Sequence, residues 1–270
     1  MIKASRKGIV GNGIETIKDL DNSFINKNYR GSVVFKADPT DDQKKMLEDI
    51  CPTKALFSIK ENNVMGLDNG KCIMCGYCSE AASKTIEITS KPAIPTKAKN
   101  QLIDYSSQQI STEKPYEQIG NELKEKIQKM FGRSLAIRQV DAGSCNGCEI
   151  EITALNNPIY DIERFGIHFV ASPRHADMLM VTGPVSRNMK EALIKTYEAT
   201  PTPKIVVAVG DDAIDGGIFK GSYGVLDGVH KVIPVNFQIP GDPPSPKTIL
   251  CHLLQILEIL SSQPKNKDLQ

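Results

Sequence analysis

Apolar positions follow two rhythms in the second half of this chain. Leu135-Ala-Ile-Arg-Gln-Val140, Met178-Leu-Met-Val-Thr182, Lys204-Ile-Val-Val-Ala-Val209 and Lys231-Val-Ile-Pro-Val-Asn-Phe237 are short apolar runs that predict strands. Between and after them, residues 188–198 and 247–260 carry helical spacing. In the second of these, Leu250, Leu253, Leu254, Leu257 and Leu260 form one stripe. Continuous apolar strands alternating with helices predict an α/β unit, a parallel sheet covered on both faces. Ligand sites in such sheets gather in loops beyond the strand ends. Three loops there carry chemistry: Cys145/Cys148 after the first strand, Gly210-Asp-Asp212 after the Val-rich strand, and Gly241-Asp-Pro-Pro244 after the last.

The first half reads differently. Residues 1–30 are polar without a clear period and read as an arm. Short strands, Gly31-Ser-Val-Val-Phe35 and Thr85-Ile-Glu-Ile-Thr89, bracket a compact cysteine-bearing unit over 31–90. Residues 91–133 read as a Pro/Lys/Ser/Gln-rich linker and then an amphipathic helix. Ile119, Leu123, Ile127 and Met130 mark its apolar side, with Pro115 near the start and Gly132 near the end. That side predicts a packing partner; docking on a membrane surface is the other reading. The α/β unit spans 134–262, and 263–270 is a polar tail.

Composition narrows the classes. Of 270 residues, 33 are basic and 32 acidic, a net charge of +1, so nothing draws the chain to nucleic acid. The longest nearly apolar stretch, 249–260, is too short for a bilayer span, which takes about 20 residues. The basic N-terminus has no apolar run behind it, so a secretory signal is not expected. The 7 cysteines are then expected as metal ligands, reactive thiols or core residues rather than disulfides. Cys251, alone on the last helix, is expected in the core.

Cys72-Ile-Met-Cys75-Gly-Tyr-Cys78 supplies three thiolates at C-x2-C-x2-C spacing, and Cys51 precedes Pro52. In two-cluster ferredoxins the run is C-x2-C-x2-C-x3-C-P, and the fourth cysteine serves the other cluster. Counting back from Cys51 gives Leu47, Lys44 and Asp41 where its companions would stand. Counting forward from Cys78 gives Ala82, then Ser83. Every absent ligand belongs to one cluster and every retained one to the other. The unit therefore resembles a bacterial-type ferredoxin domain reduced to one [4Fe–4S] cluster on Cys51, Cys72, Cys75 and Cys78. A four-thiolate zinc site is the alternative.

Asp141-Ala-Gly-Ser-Cys145-Asn-Gly-Cys148-Glu-Ile-Glu-Ile, Ala171-Ser-Pro-Arg-His-Ala-Asp177, Val181-Thr-Gly-Pro184, Gly216-Gly-Ile-Phe219 and Pro240-Gly-Asp-Pro-Pro244 follow one another along 134–246. In this order they resemble the small electron-transfer subunit of energy-converting nickel–iron hydrogenases of the formate hydrogenlyase type. The twenty-kilodalton subunit of complex I is related to it. The resemblance implies a flavodoxin-like fold with one [4Fe–4S] cluster at loop ends that face a large subunit. The family places cysteines at the third and fourth ligand positions, whereas this chain has Asp212 and Asp242. Three readings stand: the aspartates ligate iron with Cys145 and Cys148; the four side chains bind another metal such as zinc; or no metal remains and the acids are solvated or paired with arginine.

Among the other candidates, Glu149 is expected as a surface or interface carboxylate, with a proton relay as the other reading. His168, His175, His230 and His252 have no metal-ligand spacing, and the glycines around Asp211 lack a phosphate-loop pattern. The expectation is an iron–sulfur electron-transfer subunit of a membrane-associated oxidoreductase. It would be held on the cytoplasmic face by its partners, beside a subunit like the hydrogenase large subunit or its forty-nine-kilodalton counterpart in complex I. It would perform no substrate chemistry itself. A structural adaptor in a complex without a complete redox wire is the rival expectation.

Overall fold

The computed structural model describes residues 30–59, 63–89, 102–106, 127, 132–143 and 145–262. The arm, most of the linker and amphipathic helix, and the tail lie outside the described residues.

The later part is built on a five-stranded parallel sheet. Its strands are β6 (Leu135–Asp141), β7 (Ile167–Phe169), β8 (Met178–Thr182), β9 (Ile205–Val209) and β10 (Phe237–Ile239), in the order β10-β9-β8-β6-β7. Counted within the sheet this is the flavodoxin-like order 2-1-3-4-5. Alternation along the buried strands divides the core in two. Met178, Met180, Val207 and Val209 pack on one face with Ile249, Leu253 and Leu257. Leu179, Val181, Val206 and Ala208 pack on the other with Leu193, Ala213 and Ile214. The helices are α3 (Gly147–Ala154), α4 (Lys190–Ala199), α5 (Asp211–Asp215) and α6 (Pro246–Ser262). The expected α/β class, the leucine stripe on α6 and the buried Cys251 are all found.

Two expectations on the sheet change. The run Lys231–Phe237 is not a strand. Pro234 has no N–H to give a ladder, and residues 229–231 form a 3-10 turn. The Asn236 side chain accepts the Val206 N–H at 2.7 Å, and the ladder begins only at Phe237. Strand β7, at the sheet edge, has no sequence signal beyond Ile167 and Phe169.

The cysteine-bearing unit pairs β1 (Ser32–Phe35) with β4 (Ile86–Thr89), antiparallel. Helix α1 (Asp41–Ile50) starts in a capping box, with Thr40 and Gln43 each satisfying the other's backbone N–H. Helix α2 (Tyr77–Ala81) follows the cysteine loop. Val33, Leu47, Met65, Leu67 and Ile86 form its core together with Cys72 and Cys78. A second antiparallel sheet runs β2 (Leu56–Ile59), β3 (Val64–Asp68), β5 (Ile103–Tyr105). The segment expected as a linker thus supplies a strand, and Leu102 beside it is buried in the α/β core. Ile127, the one described residue of the amphipathic stripe, is buried on the opposite face of the parallel sheet. No helix among the described residues is long and apolar enough to cross a membrane.

Candidate metal centre

Helix α1 ends at Cys51, and the loop from β3 into α2 carries Cys72, Cys75 and Cys78. All four cysteines line one small cavity, closed by Val33, Leu56 and Leu67. Backbone N–H groups point at its sulfurs. Ala55 N donates to Cys51 Sγ at 3.2 Å, and the amides of Met74 and Ser79 bond Cys72 and Cys78. Gly76 lets the chain turn there, with φ 90 at the start of α2. Burial pushes the Cys72 thiol strongly up and Cys78 to about 11. Buried thiolates are stable only when metal charge compensates them, and the donor set suits an iron–sulfur cubane, held at its corners by soft sulfur. Among the described residues, no three His, Cys, Asp or Glu side chains close on a single ion.

Where a second ferredoxin cluster would sit, the chain is filled. Leu47 is fully buried and Ala82 nearly so. Lys44 is buried too, its ammonium bonded to Asp41, to the Asn63 carbonyl and to the Asn63 side chain.

The loops beyond β6, β9 and β10 bring together the second group. Cys148 lies in the first turn of α3, and its sulfur presses on Gly210, where an added Cβ would come within 2.6 Å of it. Gly210 has φ 89, so two constraints demand glycine there. Cys145 is exposed, beside Pro243. Asp242 acts on Asp212 through space, and Asp212 and Cys145 both act on Cys148. The four sequence candidates therefore lie in one cluster of loops, although no three of them close on a single ion.

Two buried acids stand around them: Asp211, which sequence reasoning missed, and Glu149, which it expected at the surface, at an interface or in a proton relay. Asp211 is 1% exposed. One of its oxygens accepts the Gly241 N–H at 2.9 Å, tying two loops together, and the other is buried without a hydrogen-bond partner. Glu149 is buried as well. It accepts the Thr182 hydroxyl with one oxygen and leaves the other unbonded. The resulting electrostatics are one-sided. Burial, then Glu149, Asp211, Asp212 and Cys145, drive the Cys148 thiol strongly up. Burial, then Asp242 and Glu149, push Asp212 up to about 6; burial raises Asp242. Asp211 is held well above the usual carboxylate range, chiefly by burial.

The two groups are neighbours. Asp211 acts on Cys72 as well as on Cys148. Gly70 leaves no room for a Cβ against Ile214 of α5 and Leu102. A cleft of about 340 Å³ separates Ile73 and Met74 of the cysteine loop from Gly241, Asp242 and Pro243.

A family described as NADH ubiquinone oxidoreductase, 20 Kd subunit, matches residues 145–256. An uncharacterized protein of Methanocaldococcus jannaschii is 49% identical over 140 residues, 50% of this chain and 94% of that protein. The chain belongs to this family. An NADH-quinone oxidoreductase subunit of Bacteroides thetaiotaomicron is 39% identical over 183 residues, 63% of this chain and 88% of that protein. Formate hydrogenlyase subunit 7 of Escherichia coli is 43% identical over 141 residues, 52% of this chain and 55% of that protein. The resemblance to the hydrogenase and complex I small subunits is thereby confirmed. The family match begins at Cys145, so the Cys51–Cys78 unit lies outside it.

Proposed function

We propose that this chain is an iron–sulfur electron-transfer subunit of a membrane-associated, multisubunit oxidoreductase, with one [4Fe–4S] cluster on Cys51, Cys72, Cys75 and Cys78. The observation that carries this reading is the cavity lined by those four cysteines, with backbone amides bonded to three of the sulfurs. When bound, the cluster supplies a one-electron redox centre. The chain's own residues hold it, shield it from water and set its potential through N–H···S bonds and burial. Substrate chemistry belongs to a partner. The relatives named as formate hydrogenlyase and NADH-quinone oxidoreductase subunits support such partners. A large subunit of the hydrogenase kind, or its complex I counterpart, fits the face around Cys145, where Ile150 and Ile218 are 60% and 63% exposed. The chain would sit on the cytoplasmic face of the membrane through these partners. Its units would be the arm 1–30, the ferredoxin-like unit 31–90, the connecting segment 91–133, the α/β unit 134–262 and the tail 263–270.

The second group does not fit a [4Fe–4S] cluster. Two of its four donors are hard carboxylates. Like charges from Glu149 and Asp211 act on its buried thiol, whereas backbone amides serve the sulfurs of the first group. That acidity supports a second reading, in which the α/β unit is a structural adaptor and the redox wire ends at the first cluster.

The test is iron, acid-labile sulfide and zinc per chain after anaerobic purification, with EPR on the reduced protein. About four irons and one signal fit the proposal. About eight irons with two signals would return the second group to the wire. Zinc without sulfide would overturn the cluster reading altogether.

A further inference from the structure

The first cysteine loop has a cationic brace that neither the cysteine spacing nor the family match assigns. Arg30 enters from the strand side, just before β1. One guanidinium nitrogen, Nη1, donates to the Met74 carbonyl at 3.3 Å and also to the Cys75 carbonyl. The guanidinium lies over Gly76, where an added Cβ would come within 3.3 Å of Cζ. The two carbonyls belong to the consecutive peptides 74–75 and 75–76. In a trans peptide the N–H points opposite to the C=O. With both carbonyls bonded to Arg30, the Cys75 and Gly76 amides point away from it, and both residues line the cysteine cavity. The loop needs such a hold, since Met74 has φ 51 and Gly76 φ 90. Left-handed backbone at a non-glycine residue persists only when its surroundings fix it.

We propose that Arg30 is a positioning residue that raises the reduction potential of the cluster held by Cys51, Cys72, Cys75 and Cys78. The inference rests on the cluster reading above. Arg30 acts in two ways of the same sign. It fixes and polarises the Cys75 and Gly76 amides, which stabilise the extra electron, and it places a permanent positive charge behind the loop. A reduced cluster carries one more negative charge than an oxidised one, so both effects favour reduction.

The test is an EPR-monitored redox titration of the full chain and of Arg30→Gln and Arg30→Lys, with iron and sulfide counted on each sample. Arg30→Gln is expected to keep its iron and to titrate at a more negative potential. Arg30→Lys, which keeps the charge without the planar fork, is expected between the two. An unchanged potential in Arg30→Gln with full iron overturns the proposal. If Arg30→Gln loses iron, Arg30→Lys decides: a potential below that of the unaltered chain supports the brace, and an equal one overturns it. Absence of iron and sulfide from the unaltered chain would sink the cluster reading itself, a result distinct from either.

Discussion

Lys44 Nζ stands 3.1 Å from Asp41 Oδ1, and these residues occupy two of the positions where a two-cluster ferredoxin would carry cysteines. The ammonium also bonds the Asn63 carbonyl at 2.7 Å and its side-chain oxygen at 2.8 Å, while Leu47 fills the third position. A buried ammonium with its partners and a leucine thus take the place of a cluster. Lys44→Met keeps the aliphatic stem and deletes the bonds to Asn63. Hydrogen bonds to a charged group contribute about 1.5–3 kcal/mol each, so a loss of that order is expected in denaturant unfolding. Iron content should not change, because the retained cysteines are untouched. A variant that loses its iron would show that Lys44 supports the cluster rather than replacing one.

The same pair sets an acid dependence. Hydrogen bonds from Lys44 and Asn63, with the Lys44 charge, hold the Asp41 carboxyl below its usual value of 3.8. A folded-state pKa below the unfolded one gives stability that is present above the unfolded value and lost as pH falls through the folded one. Unfolding midpoints measured downward from pH 5 should therefore fall less steeply in Lys44→Met than in the unaltered chain. Parallel curves would mean that solvent screens the pair completely.

Leu102 makes a separate case. It is 2% exposed and packs with Val140, Val181 and Ile214, yet it lies in a stretch of lysine, serine and glutamine. Leu102→Ala is expected to destabilise the protein by about 2–5 kcal/mol, as large-to-small changes in a core do. Thermal unfolding of the full chain checks it. A change below about 0.5 kcal/mol, ordinary for a surface site, would place Leu102 outside the core.

What is legible in the sequence follows from what is periodic or chemically rare. The strands β8 and β9 show because runs of four or five apolar residues between helical segments have few other uses. The cysteines show because their spacing matches the geometry of a cluster. Leu102 does not show, because it and Ile103 are an isolated apolar pair in a polar stretch, too short to set a period. Asp211 does not show because its inward turn depends on a bond to Gly241, 30 residues away. Lys44 is legible as a missing ligand, but its bonds depend on Asn63 across the unit. Arg30 reads in the sequence as the end of an arm, since only the fold brings it to carbonyls 44 and 45 residues on.

The ligand exchange in the second group can be reversed. Asp212 and Asp242 stand at two loop ends in the same loop cluster as Cys145 and Cys148, and Gly210 makes room for the Cys148 sulfur. If the two carboxylates alone keep a cluster out, the double variant Asp212→Cys, Asp242→Cys restores four soft thiolate donors. Its iron content should then rise from about four to about eight per chain, with a second EPR signal on reduction. Asp211 and Glu149 would remain, each buried with an unbonded oxygen. If iron stays at about four, these acids are the stronger obstacle, and Glu149→Gln added to the double variant should admit the cluster. Failure of the triple variant as well would mean that the loops themselves have closed around the altered residues, and the adaptor reading of the α/β unit would gain.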